Sequence, residues 1–484
     1  MMRLLVAAAL LWAMPLPAAR AQGPLTFADC DLVDGHGVPR VEAQCADFAV
    51  PENHDEPQGR QIELRVVRVE ARQARRHDDP VVLLAGGPGQ SAVDAYVSMR
   101  AAFAPLNRDR EVLLVDQRGT GSSNRLACDL AESELQLTPE PAELRRMANR
   151  CLDDLAGRAN VRYYTTSDYI LDLEQVRSAL GIAQLNLIGG SYGTRVALEY
   201  LRRHPQAIRT VVVDGVVPPT LALTQDHARN LDDAIERLFA TCAADAGCRE
   251  RYGRPAQLLR QLRERLARAP MATGYPDPVD FTLQQGELTR GTLAGIVRLF
   301  SYQPESASLL PLLLAEAGQG RPQALVAQFG MLLRTLGDKL AHGMELTVTC
   351  TEDLPFLGPQ AEDDGTLLGS MLTEAVIAQC DVWPRGRLPE DFKRPLRSDK
   401  PVLILSGEFD PVTPPRYGDE IAQTLSSSRR IVAPGQGHIV MPRGCLPRLV
   451  SEFIDTADAA GLDPGCVDSL GTMPFFLDYN GFAP

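Results

Sequence analysis

The chain has 484 residues, 45% of them hydrophobic and 23% charged, with 36 prolines and 39 glycines. That composition is globular and excludes a collagenous, coiled-coil or mainly disordered chain. A formal charge of −13, with no basic stripe, argues against nucleic acid and anionic membrane surfaces as partners.

Met1-Met2-Arg3 gives a positive start, Leu4 to Met14 is an uninterrupted apolar run, and Ala19-Arg20-Ala21 places small residues before Gln22. Charge, short apolar core and small residues spell a secretory signal peptide, residues 1–21. The run is shorter than the ~18–20 apolar residues of a membrane anchor. No later segment reads as a span, so the expectation is an exported, soluble protein, periplasmic or extracellular. The ten cysteines all follow residue 21, an even number suited to an oxidising compartment. Their spacing suggests pairing between neighbours: 30–45, 128–151, 242–248, 350–380 and 445–466. The chain has no Cys-x-x-Cys, His-Glu-x-x-His or His cluster, so no metal site is expected.

Along the chain, Gln61 to Val69 reads as a strand by alternation, and Pro80 to Ala85 and Glu111 to Val115 as buried strands. Asp168 to Leu180 reads as a helix, Leu185 to Ile188 as a strand, and Thr194 to Arg203 as a helix. Ile208 to Val213, Pro401 to Leu405 and Arg430 to Val432 complete the strand set. Strands alternating with helices imply an α/β fold: a mainly parallel sheet covered on both faces. Between about 222 and 395 the rhythm gives way to helical periodicity, as in Leu231, Ile235, Leu238 and Phe239. The expected organisation is a core of residues 22–222 and 396–484, interrupted by a mostly helical cap of residues 223–395.

Gly189-Gly190-Ser191-Tyr192-Gly193 lies between a buried strand and a helix, the setting of a nucleophile elbow. A serine needs a base and an orienting carboxylate, which follow it in the order acid, then His, in this fold class. Of the seven histidines, His438 in Pro434-Gly435-Gln436-Gly437-His438 occupies a Gly-rich loop after the last strand. Asp410, 28 residues before it, follows a buried strand; Glu408 and Asp214 are the alternatives. Glu408 stands two residues from Asp410 and would point the same way in an extended segment. An oxyanion needs two N–H donors. The Tyr192 backbone is one, and Gly87, in Ala85-Gly86-Gly87-Pro88-Gly89, is the other. Asp116-Gln117-Arg118-Gly119 reads as a structural turn with an internal Asp–Arg pair.

Together, Gly86-Gly87-Pro88-Gly89, Asp116-Gln117-Arg118-Gly119, the elbow, Gly407-x-x-Asp410-Pro411-Val412-Thr413-Pro414 and Gly437-His438 resemble the exported prolyl and tripeptidyl aminopeptidases, serine peptidases of the α/β-hydrolase fold. The resemblance covers nearly all of the chain after residue 21. It implies release of short N-terminal fragments, tripeptides or proline-containing pieces, beneath a helical cap and without a cofactor. Prolyl aminopeptidases typically carry His before Gly-Gly-Pro-Gly; Ala85 stands there instead and favours the tripeptidyl type. An aminopeptidase must also bind an α-ammonium, and Glu352 and Asp353, beside Cys350, are the candidate carboxylates. A carboxylesterase using the same triad is the alternative.

Overall fold

The computed structural model describes residues 25–33, 41–73, 77–128, 140–277, 281–358, 363 and 365–482; the signal-peptide expectation lies outside them. The strands are β1 (Ala28–Leu32), β2 (Val41–Pro51), β3 (Gln61–Val69), β4 (Val81–Leu84), β5 (Val112–Val115), β6 (Leu185–Gly190), β7 (Ile208–Asp214), β8 (Met271–Pro276), β9 (Leu283–Leu288), β10 (Val402–Gly407) and β11 (Ser428–Ala433). Nine of them form one sheet in the order β1-β2-β3-β5-β4-β6-β7-β10-β11. The first three are antiparallel to their neighbours, and the six from β5 to β11 run parallel. β4, β5 and β10 are buried along their whole length, as expected of strands covered on both faces. The mainly parallel sheet expected from the alternation is present.

Helices α1 (Ala92–Phe103), α2 (Pro141–Leu155), α3 (Thr166–Ala179) and α4 (Tyr192–Arg203) cover the sheet between β4 and β7. α4 is buried from Tyr192 to Leu201, and its apolar Val196, Ala197 and Leu201 join the large core cluster on one face of the sheet. On the other face, α1 and Leu446–Thr456 pack over Val81, Leu83, Leu114 and Leu403.

Residues between β7 and β10 add nothing to the nine-stranded sheet. They begin with α5 (His227–Ala244), α6 (Ala246–Tyr252) and α7 (Pro255–Leu266), and continue through the β8–β9 hairpin into α8 (Arg290–Phe300). The hairpin is the non-helical part of a mostly helical segment. Leu231, Leu262, Leu293, Ile296, Leu310 and Leu314 are the centre of a separate hydrophobic cluster. The later part of the segment behaves differently: Met344, Val348, Cys350, Cys380 and Trp383 belong to the core cluster of the sheet. The packing of residues 223–395 is divided between the separate cluster and the main core.

All five cysteine pairs close as neighbours: Cys30–Cys45, Cys128–Cys151, Cys242–Cys248, Cys350–Cys380 and Cys445–Cys466. Among the described residues, no helix is long and apolar enough to cross a membrane.

Candidate active site

Ser191 follows β6 directly and precedes α4, with φ 53° and ψ −124°. That left-handed conformation is unfavourable for a side-chain-bearing residue and is the strain a nucleophile elbow stores. Two glycines make it possible. A Cβ at Gly189 would overlap the Gly193 carbonyl oxygen, and one at Gly193 would overlap the Leu84 carbonyl oxygen at the end of β4. The Ser191 backbone N–H donates to the Asp214 carbonyl at 2.9 Å, which ties the elbow to β7.

The turn after β4 lies against this serine. A Cβ on Gly86 would stand 3.1 Å from the Ser191 Cβ, so glycine at 86 lets this turn approach the serine closely. Gly87 has φ 103°, and its bond to Pro88 is cis. Tyr192 opens α4, so its N–H is one of the helix N-terminal donors without an intrahelical partner.

His438 Nδ1 and Asp410 Oδ2 are 2.8 Å apart, and both residues are buried. Asp410 also accepts from the Val412 and Thr413 N–H groups, each at 2.8 Å, and from the Thr413 hydroxyl at 2.8 Å. Burial works against the Asp410 charge, but His438 and these donors overcome it and hold its carboxyl below the usual range. Burial likewise disfavours the imidazolium, yet Asp410 outweighs it and His438 is raised above 6.5.

The two alternative acids point elsewhere. Glu408 accepts from the Gly435 N–H at 2.8 Å. The Asp410 N–H donates to the Gly407 carbonyl at 3.3 Å, so residues 407–410 form a turn and not the extended segment that would aim Glu408 and Asp410 alike. Asp214 accepts from the Val440 and Met441 N–H groups, at 2.8 and 2.7 Å, and so holds the backbone just beyond His438. Burial pushes its carboxyl up to about 6.

His438 and Ser191 share one edge of the sheet. A Cβ on Gly215, next to the carbonyl that receives the Ser191 N–H, would stand 3.0 Å from the His438 Cε1. A Cβ on Gly190 would meet Ile439, the residue after His438, at 3.5 Å. The inserted segment closes over the imidazole: the His438 N–H donates to the Tyr302 carbonyl at 2.8 Å. The Tyr302 ring stands edge-on to the imidazole, 5.2 Å between centroids. Neither Tyr302 nor the Thr413 hydroxyl emerged from the sequence as a site residue. Thr413 stands in the quoted motif, while nothing local marks Tyr302.

Glu352 and Asp353 lie in the interior. They end a π-helical turn, Thr349–Asp353, and both are fully buried. Asp353 receives two bonds from Arg195, at 2.8 and 3.0 Å, one from Lys393 at 2.9 Å and one from the Leu223 N–H at 2.9 Å. Burial opposes its charge, but Arg195 and Lys393 prevail and hold it below the usual range. The Glu352 oxygens are occupied by the Thr166 N–H and hydroxyl, at 2.7 and 2.9 Å. Both carboxylates thus have hydrogen-bonding partners within the protein. Asp116 and Arg118 likewise take separate partners in place of the expected internal pair. Asp116 accepts from the Ser91 hydroxyl at 2.8 Å, whereas Arg118 grips Asp172 of α3 at 2.5 and 2.6 Å.

The chain is similar to known hydrolases. It is 24% identical over 460 residues to the serine protease Hip1 of Mycobacterium tuberculosis, covering 85% of both chains. It is 28% identical over 193 residues to the tripeptidyl aminopeptidase of Streptomyces coelicolor, 37% of this chain and 36% of that one. A crystal structure of proline iminopeptidase from Mycobacterium smegmatis aligns with a TM-score of 0.44 and 18% identity, over 86% of this chain and all of that one. The alpha/beta hydrolase fold family model matches residues 79–443, which span β4 to His438. The chain therefore belongs to the alpha/beta hydrolase fold family and is a serine hydrolase of that fold.

Proposed function

We propose that the chain is an exported serine aminopeptidase that releases short N-terminal fragments, tripeptides or proline-containing pieces, from peptides. The observation that carries this reading is the Asp410–His438 pair, 2.8 Å apart, at the sheet edge where Ser191 is held in its strained turn. The names of the relatives favour peptides as substrates. Five disulfides among the described residues favour an oxidising compartment.

In this reading Asp410 accepts the Nδ1–H of His438, which leaves Nε2 as the lone-pair base. Nε2 takes the proton of Ser191 as Oγ bonds to the substrate carbonyl carbon. The Tyr192 and Gly87 N–H groups receive the oxyanion. The imidazolium then gives its proton to the departing amine as the C–N bond breaks, and water hydrolyses the acyl-enzyme by the same steps. The α8 end of the inserted segment, carrying Tyr302, roofs the imidazole and restricts entry.

Digestion of a small peptide library, with mass-spectrometric identification of the fragments, tests the reading. Amino-terminal tripeptides or short proline-containing pieces are expected, and N-acetylated substrates should be spared. Turnover of matched acyl esters with none of the amides would establish a carboxylesterase instead.

A further inference from the structure

Gln117 of the Asp-Gln-Arg-Gly turn and Glu352 of the inserted segment have no part in the chemistry above, yet one chain of hydrogen bonds joins them through the elbow. Gln117 Nε2 donates to the Tyr192 hydroxyl oxygen at 3.1 Å. That hydroxyl sends its own proton to Thr166 Oγ1, 2.5 Å away, because Thr166 Oγ1 in turn donates to Glu352 Oε2 at 2.9 Å. The Thr166 N–H takes the second Glu352 oxygen, at 2.7 Å. The direction of every bond is thereby fixed, and the chain ends on a carboxylate whose two oxygens both accept. All four side chains are buried, where a complete polar chain is rigid and a broken one is costly.

We propose that Glu352 is a positioning residue: through Thr166 and the Tyr192 hydroxyl it fixes the first residue of the elbow helix, whose backbone N–H receives the oxyanion. This rests on the serine-hydrolase reading and assigns Glu352 a role other than amine binding. The charged groups facing Glu352 are Arg195 of α4 at 3.5 Å and Asp353 on its own turn; Lys393 reaches the cluster through Asp353. Burial pushes Glu352 up to about 7, against the pull of Arg195 and with the push of Asp353. Protonation removes the negative charge to which both Thr166 donors point, so the chain is weakened as Glu352 protonates.

Three variants test the proposal. Thr166→Val removes the hydroxyl at constant shape, Thr166→Ser keeps it, and Tyr192→Phe removes the middle link. Thr166→Val and Tyr192→Phe should each lower kcat ~10-fold, part of the ~100-fold or more lost when an oxyanion donor is removed outright. KM should stay within ~2-fold, Thr166→Ser should match wild type, and the double variant should lose no more than either single one. The wild-type acid limb of log kcat should be steeper than one proton, since Glu352 and His438 must both be deprotonated. In Tyr192→Phe it should relax to one. Wild-type kcat and an unchanged limb in Thr166→Val and Tyr192→Phe would overturn the proposal, as would losses that add in the double variant. Full hydrolysis by Ser191→Ala would instead overturn the serine-hydrolase reading beneath it.

Discussion

Two regions meet at helix α4 and are held by opposite means. At its N-terminus, the catalytic edge is shaped by backbone: glycines at 189 and 193, a positive φ at Ser191, and carboxylates at 214 and 410 receiving main-chain N–H groups. One turn along, the junction with the inserted segment is shaped by buried charge, with Arg195 and Lys393 closing on Asp353. The first arrangement holds Ser191 and His438 at the same end of the sheet. The second fixes where the inserted segment sits. Substitutions should therefore separate them, with chemistry lost at the edge and folding at the junction.

The largest expected effect is at the edge. Ser191→Ala should lower kcat by ~10⁶ with the fold intact, by analogy with serine proteases that lose their nucleophile. Circular dichroism and peptide turnover measured on one preparation check it. Asp410→Asn follows at ~10⁴, because an amide there selects the wrong imidazole tautomer. A comparable loss in Glu408→Gln, whose side chain serves the Gly435 N–H, would blur the assignment.

At the junction, Asp353→Ala removes the carboxylate shared by Arg195, which is buried, and Lys393, which is largely so, leaving Arg195 only the longer contact to Glu352. It should cost ~3–5 kcal/mol in urea unfolding. A stability within 1 kcal/mol of wild type, on the same ~1 kcal/mol scale as an ordinary substitution, would mean that the ion cluster does not hold the segment.

The smallest expected effect is a pH shift. Asp410 raises His438 above 6.5, and the base acts only when neutral, so activity must fall as pH drops through that raised value. The acid limb of kcat/KM should have its midpoint above 6.5, and a rate flat from pH 8 to pH 5 would contradict a histidine base.

The same contrast explains what was legible in the sequence. Gly189 and Gly193 leave no room for a Cβ, and a geometric necessity of that kind writes itself into adjacent residues. The parallel strands were legible because short apolar runs such as Val81–Leu84 are buried on both faces. Partners distant in the chain were not. Arg118 passes over its neighbour Asp116 for Asp172, 54 residues on, and Glu352 meets Thr166 across 186 residues. The adjacent acids at 352 and 353 read as a ready cation site because their sequence surroundings show neither Arg195 nor burial. β1 was missed because three of its five side chains are exposed, leaving little apolar signal. Glu408 is equivalent to Asp410 only in an extended stretch; the turn at 407–410 separates them.

The most direct test is active-site labelling with a fluorophosphonate followed by peptide mapping. The predicted result is a single stoichiometric adduct on Ser191, formed quickly in the wild type and abolished in both Ser191→Ala and His438→Ala. An adduct on another serine, or labelling of Ser191 that proceeds undiminished without His438, would contradict the account.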